Sequence, residues 1–431
     1  MVRWPAVLLL LVPTVAAPQS STPPLDSAQV ARILSLLEAS DTNVCELAAQ
    51  ALTNNWGFWE ARRLPMPMPT PTPMPMPMAM RLNIRVPHIR PHMHVRWGGS
   101  FEEGAVLGPY KAVLRDDSRC VRNIAARVLG RARAPGSFET FRALLKDANA
   151  GLRETGALGL AELEDERGLE PLQGALKDHD AAVRAMAARG LGDLEDSTSI
   201  SALTAALSDE SAPVRVAAAW ALGEIHDARA IDPLGKGLGD RAPEVRAMAA
   251  WALGEIQSRR ATPALGQGLK DPVARVRRAA GWALGEIEDP ASVVLLVPLL
   301  RDDAPDVRGM AIWALGEIED RSAVEPLAGA LKDADAHTRE LAAWALGEIE
   351  DAAAVDPLVA TLKDREPDVR VAAAWALGQI ESSRAVEPLK AALSDAASEV
   401  RDAARWALAQ LDQDGEPRPR VRVHPRVRNR I

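Results

Sequence analysis

Tryptophan recurs seven times at intervals of 31 residues, and an acidic or amide side chain follows each one four residues later. The tryptophans are Trp220, Trp251, Trp282, Trp313, Trp344, Trp375 and Trp406, and the residues that follow them are Glu224, Glu255, Glu286, Glu317, Glu348, Gln379 and Gln410. Residues four apart on a helix are neighbours, so each indole would lie beside a carboxylate or an amide. Indoles flanked by carboxylates suit cation–π contact and stacking with a cationic or proline-rich peptide. We therefore identify the seven tryptophans and five glutamates as candidate partner-binding residues.

The helical pattern around Trp220 leaves two interpretations of these indoles open. At 100° per residue, Val214, Ala218, Leu222 and Ile225 form one apolar stripe, and Trp220 falls roughly opposite it. An outward column of indoles indicates a binding surface. The alternative is that each indole lies flat on its neighbour and seals the stack, or that duplication of one repeat copied the tryptophan without selection for binding.

A methionine- and histidine-rich insert, residues 57–102, is a second candidate for chemistry. Thioether and imidazole ligands suit Cu(I). The weak metal candidates are Met74, Met76, Met78, His92 and His94. Their spacing fixes no coordination geometry, and alternating prolines between Pro65 and Met80 favour extended polyproline II. A disordered, low-complexity segment is the alternative.

The two cysteines, Cys45 and Cys120, are too few for a four-cysteine zinc site or a disulfide-dense scaffold. If the insert loops out, they lie at neighbouring positions in adjacent repeats, so we predict a disulfide. Such a bridge would close a loop of about 75 residues and contribute up to roughly 4 kcal/mol in the chain-entropy model. Two buried free thiols are the alternative.

Recognised catalytic motifs are absent from the sequence. There is no His-Glu-x-x-His, no Gly-x-Ser-x-Gly and no glycine loop of the kind that cradles phosphate. We therefore expect a protein that is not an enzyme and that needs no cofactor.

Each tryptophan belongs to a repeat that reads as a helical hairpin, illustrated by Asp320 to Ile349. Asp320 is the predicted N-cap, and a first helix is predicted from about Ala323 to Leu331. A turn follows, and a second helix is predicted from about Ala336 to Ile349. One hairpin cannot bury its apolar faces alone, so hairpins stack into a solenoid. Degenerate repeats carry other residues at the tryptophan position, namely Gln50, Arg127, Leu158 and Arg189. The chain thus holds about eleven hairpins.

An Asp–Arg ladder shares this period, with each Arg six residues after an Asp. The pairs run from Asp116–Arg122 to Asp395–Arg401. Each Asp ends the turn between helices and each Arg stands early in the second helix. We interpret them as structural pairs that link the turns of stacked hairpins, a role that suits a guanidinium better than an ammonium group.

The repeated pattern Val-Arg-x-x-Ala-Ala-Trp-Ala-Leu-Gly-Glu-Ile-x-Asp, followed by Ala-Val-x-Pro-Leu-x-x-Ala-Leu-Lys-Asp, resembles the short HEAT repeats called phycobilisome-lyase-like. The resemblance covers about residues 30–53 and 103–412. It implies an all-α, right-handed α–α solenoid in which the second helices line the concave side.

Enzymes of this fold are a disfavoured alternative. The resemblance to deoxyhypusine hydroxylase would require repeated His-Glu pairs, and the sequence has no His-Glu dipeptide. Phycobilin lyases act on phycobilisomes, to which an exported chain has no obvious access. HEAT-like DNA glycosylases need a basic groove, whereas this one is acidic.

The composition and the two terminal sequences indicate the domain organisation and the cellular compartment of the protein. Residues 1–17 read as a signal peptide, with Arg3 before a short apolar run and small residues at its end. Residues 18–56 form the first repeat, 57–102 the insert, 103–412 ten repeats and 413–431 a basic tail. We expect an exported protein, periplasmic or secreted, with no membrane span in the mature chain.

Charge favours a protein partner over nucleic acid. Residues 101–412 carry 37 basic and 52 acidic side chains, a net charge of −15 that repels phosphate backbones. Residues 57–100 have a net charge of +5 and the tail has +4. Docking of either segment, on this molecule's acidic groove or on an anionic surface, is the alternative to a disordered segment. The sequence predicts a protein-interaction scaffold, with a periplasmic copper-handling protein as the alternative and a lyase or hydroxylase disfavoured.

Overall fold

The fold is an all-α solenoid of consecutive helical hairpins. The computed structural model describes residues 30–31 and 107–411, and within these residues there are twenty α-helices and no strand. The predicted fold class is confirmed. The predicted signal peptide, first repeat, insert and basic tail lie outside the described residues, apart from Val30 and Ala31.

The chain divides into two compact units, and the described part of unit 1 is essentially residues 107–252. Its helices, in pairs, are α1 (Gly108–Ala112) with α2 (Arg119–Arg131), α3 (Ser137–Leu144) with α4 (Ala150–Glu162), α5 (Leu169–Ala175) with α6 (Ala181–Asp193), α7 (Ile200–Ala206) with α8 (Ala212–Glu224), and α9 (Ile231–Gly237) with α10 (Pro243–Glu255). The last three residues of α10 belong to unit 2. Successive second helices α2, α4, α6 and α8 pack side by side.

Unit 2 repeats the same arrangement over residues 253–411. Its helices are α11 (Thr262–Gly268) with α12 (Ala274–Ile287), α13 (Val293–Leu296) with α14 (Pro305–Ile318), α15 (Val324–Ala330) with α16 (Ala336–Ile349), α17 (Val355–Thr361) with α18 (Pro367–Ile380), and α19 (Val386–Ala392) with α20 (Ser398–Leu411). The second helices α12, α14, α16, α18 and α20 pack in that order.

Local sequence signals set the limits of each hairpin. The Asp320 side chain caps a 3-10 turn, Arg321–Ala323, by accepting from the backbone N–H of Ser322, and the first helix α15 follows this turn. Asp335 caps α16 in the same way through the N–H of Thr338. Helix α16 has the bounds predicted from the sequence.

Helix α13 is shortened because its proline stands three residues later than in the neighbouring repeats. Pro326 is the third residue of α15, where no intrahelical N–H is needed. Pro298 instead follows a complete first turn, and the chain continues as a 3-10 helix, Val297–Arg301.

The core stripe of the second helices lies where the sequence placed it. Val214, Ala218 and Leu222 have no exposed surface, and Ile225 is buried. Burial extends beyond that stripe, because Ala219 and Ala221 on either side of Trp220 are also fully buried. Neighbouring second helices cover both flanks, so only a narrow strip of each second helix reaches the surface.

The Asp–Arg ladder links successive hairpins, as predicted, but the carboxylate partner differs from the one predicted. Arg339 donates through Nη1 to the backbone carbonyls of Asp333 and Ala334, at 3.0 and 3.1 Å. Its Nε and Nη2 donate to the carboxylate of Asp364 in the next hairpin, at 2.7 and 2.8 Å. The aspartate six residues earlier therefore contributes its carbonyl, and the aspartate 25 residues later contributes the ion pair.

The same contact recurs in both units. The pairs are Arg153–Asp178, Arg184–Asp209 and Arg215–Asp240 in unit 1, and Arg277–Asp302, Arg308–Asp333, Arg339–Asp364 and Arg370–Asp395 in unit 2. The hydrogen bonds from Arg184 and Arg339 hold the carboxyl pKa values of Asp209 and Asp364 below their usual range. Two parallel N–H···O bonds from a mostly buried guanidinium fix the register between hairpins.

Candidate functional site

The seven repeated tryptophans are half-buried, one on each second helix from α8 to α20. The helical wheel predicted an outward position opposite the core stripe. In the structure each indole leans toward the preceding hairpin, so part of its ring is covered and part stays accessible. All seven indoles are half-buried, in unit 1 and in unit 2 alike.

A glycine on the preceding second helix makes room for each indole. In unit 1, a methyl group built on Gly192 would lie 2.8 Å from Cζ3 of Trp220 and 2.7 Å from Cα of Ala221. In unit 2, a methyl on Gly347 would lie 2.6 Å from Cζ3 of Trp375. Such distances are shorter than van der Waals contact, so the six-membered ring lies directly against the glycine backbone. Both interpretations from the sequence thus have a structural counterpart: one part of each indole packs in the stack, and the rest lies at the surface.

The residues four positions after each tryptophan lie on the same strip of surface. Glu224 and Glu255 in unit 1 and Glu286, Glu317 and Glu348 in unit 2 are all half-buried, as are Gln379 and Gln410. The predicted arrangement of an indole next to a carboxylate on one helix is present at each of these five glutamates. Binding of a partner there remains a prediction.

Further carboxylates on this strip in unit 2 did not emerge from the sequence. Asp306 and Asp368 stand seven residues before a tryptophan and are exposed, and Glu340 stands four before Trp344 and is half-buried. Spacings of four and seven place residues on one helical face, so the pattern could have revealed them. We call the residues seven and four before, at, and four after each tryptophan the second-helix face.

Two local ion pairs show that charges on this face interact. Nη1 of Arg278 lies 3.6 Å from the carboxylate of Asp306 on the next second helix. Nδ1 of His337 lies 3.2 Å from Glu340, and that hydrogen bond raises the pKa of the imidazole above its usual value. The carboxylate of Glu340 therefore favours a positive charge at this one position of the face.

Unit 1 contains an internal example of a cation on one of these indoles. Arg189 occupies the tryptophan position of α6, and its guanidinium carbon lies 5.1 Å from the centre of the Trp220 ring. This distance is within the range of a cation–π contact. The Trp220 ring therefore accepts an arginine side chain from the neighbouring second helix.

The other predicted site residues lie mostly outside the described part of the chain. Cys120, at the start of α2, is disulfide-bonded. Cys45 is outside the described residues, so its predicted pairing with Cys120 remains a prediction. The weak metal candidates Met74, Met76, Met78, His92 and His94 also lie outside them. Within residues 30–31 and 107–411 no group of three His, Cys, Asp or Glu side chains could hold a metal ion. In the same residues, no helix has the length and apolar character needed to span a bilayer.

Comparison with known proteins bears on the fold. The signature of HEAT repeats matches residues 109–185, 169–241, 231–307, 294–366 and 355–419, which confirms the resemblance predicted from the repeat pattern. No curated protein sequence matches the chain.

Three solved structures illustrate the range of similar proteins. Kap95p, in a complex with RanGDP, is 15% identical over 90% of this chain and 61% of its own, with a TM-score of 0.55. Human deoxyhypusine hydroxylase is 28% identical over 57% of this chain and 96% of its own, with a TM-score of 0.28. The CpcE–CpcF phycocyanin lyase complex of Nostoc is 25% identical over 57% and 93%, with a TM-score of 0.34. The first likeness shows the fold alone, and the other two TM-scores are too low to support an argument.

Proposed function

The chain belongs to the HEAT-repeat family, and on that premise we propose that it is an exported scaffold that binds a cationic or proline-rich polypeptide on its second-helix face. Kap95p, which shares the fold, binds RanGDP. Within each unit the stacked hairpins present a continuous surface to a partner, and such surfaces suit extended polypeptides. The proposed role is binding rather than catalysis.

The observation that carries the proposal is the pairing of a half-buried indole with a half-buried carboxylate on successive second helices. In unit 2, Trp313 with Glu317 and Trp344 with Glu348 form two such pairs on adjacent helices. An indole face held rigid against a glycine backbone loses little entropy when a ligand binds. A flanking carboxylate favours a cationic ligand over a neutral one.

Electrostatics and the internal arginine both support a cationic partner. The net charge of −15 over residues 101–412 attracts cations at long range. The contact between Arg189 and Trp220 supplies the short-range geometry for a guanidinium. The apolar run within residues 1–17 supports export, and the N-terminus of the mature protein, determined by mass spectrometry, tests that part of the proposal separately.

A synthetic peptide of alternating arginine and proline, eight of each, tests the binding site. We expect it to quench tryptophan fluorescence of the full chain and to bind more tightly than the matched serine–proline peptide. In E317Q/E348Q, affinity for the arginine peptide should fall roughly three- to tenfold, since each exposed ion pair contributes up to about 1 kcal/mol.

The matched control is E325Q/E387Q, which removes the same two charges from the first helices α15 and α19. This variant should bind almost as tightly as the wild type, because only long-range attraction changes. Equal losses in the two variants would mean that net charge alone attracts the peptide, and the second-helix face would lose its role. No binding of either peptide would reject a cationic partner.

A further inference from the structure

The most regular unassigned feature of unit 2 is the spacing of its indoles across neighbouring second helices. Trp282, Trp313, Trp344, Trp375 and Trp406 lie on α12, α14, α16, α18 and α20, which pack in that order. The residues directly before and after each of the three central tryptophans are buried. At this level of α14, α16 and α18 the indoles are therefore the side chains that reach the surface.

Each central indole makes the same contact with the helix before it. A methyl group built on Gly316 would lie 2.9 Å from Cζ3 of Trp344, and one built on Gly347 would lie 2.6 Å from Cζ3 of Trp375. Because successive rings lie on the preceding helix in the same way, the spacing between rings equals the spacing between helices. Helices in contact have axes about 8–10 Å apart, so the indoles repeat at about that interval.

An extended ligand that crosses these helices fits best if its own side chains repeat at the same interval. A polyproline II chain has three residues per turn and rises about 3.1 Å per residue, so one side of it repeats about every 9.3 Å. A β-strand repeats its side chains on one face about every 6.6 Å, which is too short a step to reach successive indoles. One turn of polyproline II therefore matches one hairpin, and every third residue of the ligand faces an indole.

The residue that faces the indole is best supplied by a cation. In unit 1 the guanidinium carbon of Arg189 lies 5.1 Å from the centre of the Trp220 ring, which shows that an indole of this column accepts arginine. The acidic net charge of residues 101–412 favours the same choice at long range. Prolines at the two intervening positions hold the ligand in its bound conformation beforehand, so that it loses little conformational entropy on binding.

We propose that the partner polypeptide binds unit 2 as a polyproline II helix, with a cationic side chain at every third residue over successive indoles. The inference rests on the proposed function, to which it adds the conformation and the register of the partner. Three residues of the partner correspond to one 31-residue hairpin.

Two twelve-residue peptides of equal composition and charge test the register. One repeats Arg-Pro-Pro four times, and the other has four Arg-Pro pairs followed by four prolines. In a polyproline II helix the triplet peptide presents all its arginines on one side, whereas the alternating peptide presents only two, six residues apart. Each cation–π contact changes Kd about two- to fivefold, so the triplet peptide should bind about five- to thirtyfold more tightly. Quenching of tryptophan fluorescence of the full chain measures both affinities.

A matched pair of substitutions tests whether the arginines contact successive indoles. Both are made in a Trp251→Leu background, so that an unbroken run of four tryptophans remains only within unit 2. Trp344→Leu breaks every such run, whereas Trp406→Leu leaves the run from Trp282 to Trp375 intact. The triplet peptide should bind the Trp344 variant about two- to fivefold more weakly than the Trp406 variant, and the alternating peptide should bind both equally. Circular dichroism confirms that both variants retain their helices.

The contrary outcomes separate this inference from the proposed function. Equal binding of the two peptides by the wild type would reject the register and leave the proposed function standing. Equal affinity of the triplet peptide for the Trp344 and Trp406 variants would also reject the register. Binding of neither peptide would reject the cationic partner class as well. A helical, alanine-rich peptide with four arginines at every seventh residue repeats about every 10.5 Å, and tighter binding of that peptide would overturn the polyproline II conformation.

Discussion

The early hairpins of unit 1 lack the tryptophan, whereas the later ones have it, and both stack in the same way. Arg127, Leu158 and Arg189 stand at the tryptophan position of α2, α4 and α6, and these helices pack side by side. In α8 the same position holds Trp220, whose ring lies against Gly192 of α6. The stack therefore forms with or without an indole.

Other side chains fill the space in the early hairpins. A methyl group on Gly130 would lie 2.7 Å from Cβ of Glu162, and Glu162 pairs with Arg131 at 2.8 Å. Leu158 is buried. A closely packed glycine is present in α2 and α6, whereas α4 has buried Ala161 at the equivalent position, and the residue packed above this position varies. The early hairpins therefore stack without an indole, which leaves a role in binding for the tryptophans.

Acidification should lower the free energy of unfolding more than any of the substitutions below. It should affect the early and the later hairpins alike, because the Asp–Arg ladder runs through both. The Asp209 carboxyl in unit 1 and the Asp364 carboxyl in unit 2 have lowered pKa values because arginine donates to them. A group with a lowered folded pKa stabilises the fold above its unfolded pKa, about 3.9, and that contribution is lost as pH falls through the folded value.

We therefore expect the free energy of unfolding to change little between pH 8 and 5 and to fall steeply below about pH 4. Hydrogen exchange followed by mass spectrometry should show both regions losing protection over the same pH interval. Loss of protection near pH 6 in one region alone would mean that a group other than the ladder aspartates controls its stability.

Changing Trp282, Trp313 and Trp344 together tests the comparison itself. A fully exposed tryptophan, as in the outward-column interpretation, would cost below ~0.5 kcal/mol per truncation. Because the indoles are half-buried, we expect the alanine triple to lose about 4.5–7.5 kcal/mol in total, half the cost of three fully buried tryptophans. The leucine triple should lose less than half as much, because Leu158 already fills the equivalent position.

Urea unfolding measures the stability of both triples, and the arginine–proline peptide measures their binding. Binding should be lost in both, whichever residue replaces tryptophan. An unfolded leucine triple would show that the later hairpins need the indole for packing. Retained peptide binding in either triple would remove the indoles from the proposed site.

A single glycine substitution tests the close approach between second helices, with a smaller expected effect on the free energy of unfolding. A methyl on Gly347 would lie 2.9 Å from Cα of Ala376, a backbone atom that cannot move aside easily, whereas Gly329 has open space around it. Gly347→Ala should destabilise unit 2 by about 1–3 kcal/mol. Gly329→Ala makes the same chemical change on α15 and should stabilise by up to about 1 kcal/mol, from helix propensity. Shifts of the urea midpoint in opposite directions for the two variants, relative to the wild type, would support the close approach at Gly347. Equal shifts would reject it.

Local signals in the sequence determined the hairpins. The bounds of α16 follow from a capping aspartate and an apolar helical period, both of which act over a few residues. The shift of Pro298 could also have revealed the shorter α13, although the sequence analysis did not use it. Seven repetitions of the same pattern made the solenoid fold predictable from the sequence, since each hairpin must bury its apolar face on the next.

Only the tertiary structure showed which side chains pair between neighbouring hairpins. Every repeat has an Asp and an Arg at the same spacing, so periodicity cannot tell whether Arg339 pairs with Asp333 or Asp364. Stacking brings the carboxylate of Asp364 in the next hairpin within reach of the Arg339 guanidinium. Asp333, nearer in sequence, accepts from Arg339 only through its backbone carbonyl. The half-burial of Trp313 has the same origin: a helical wheel places an indole relative to its own helix, whereas Gly285, which it covers, lies on the preceding helix.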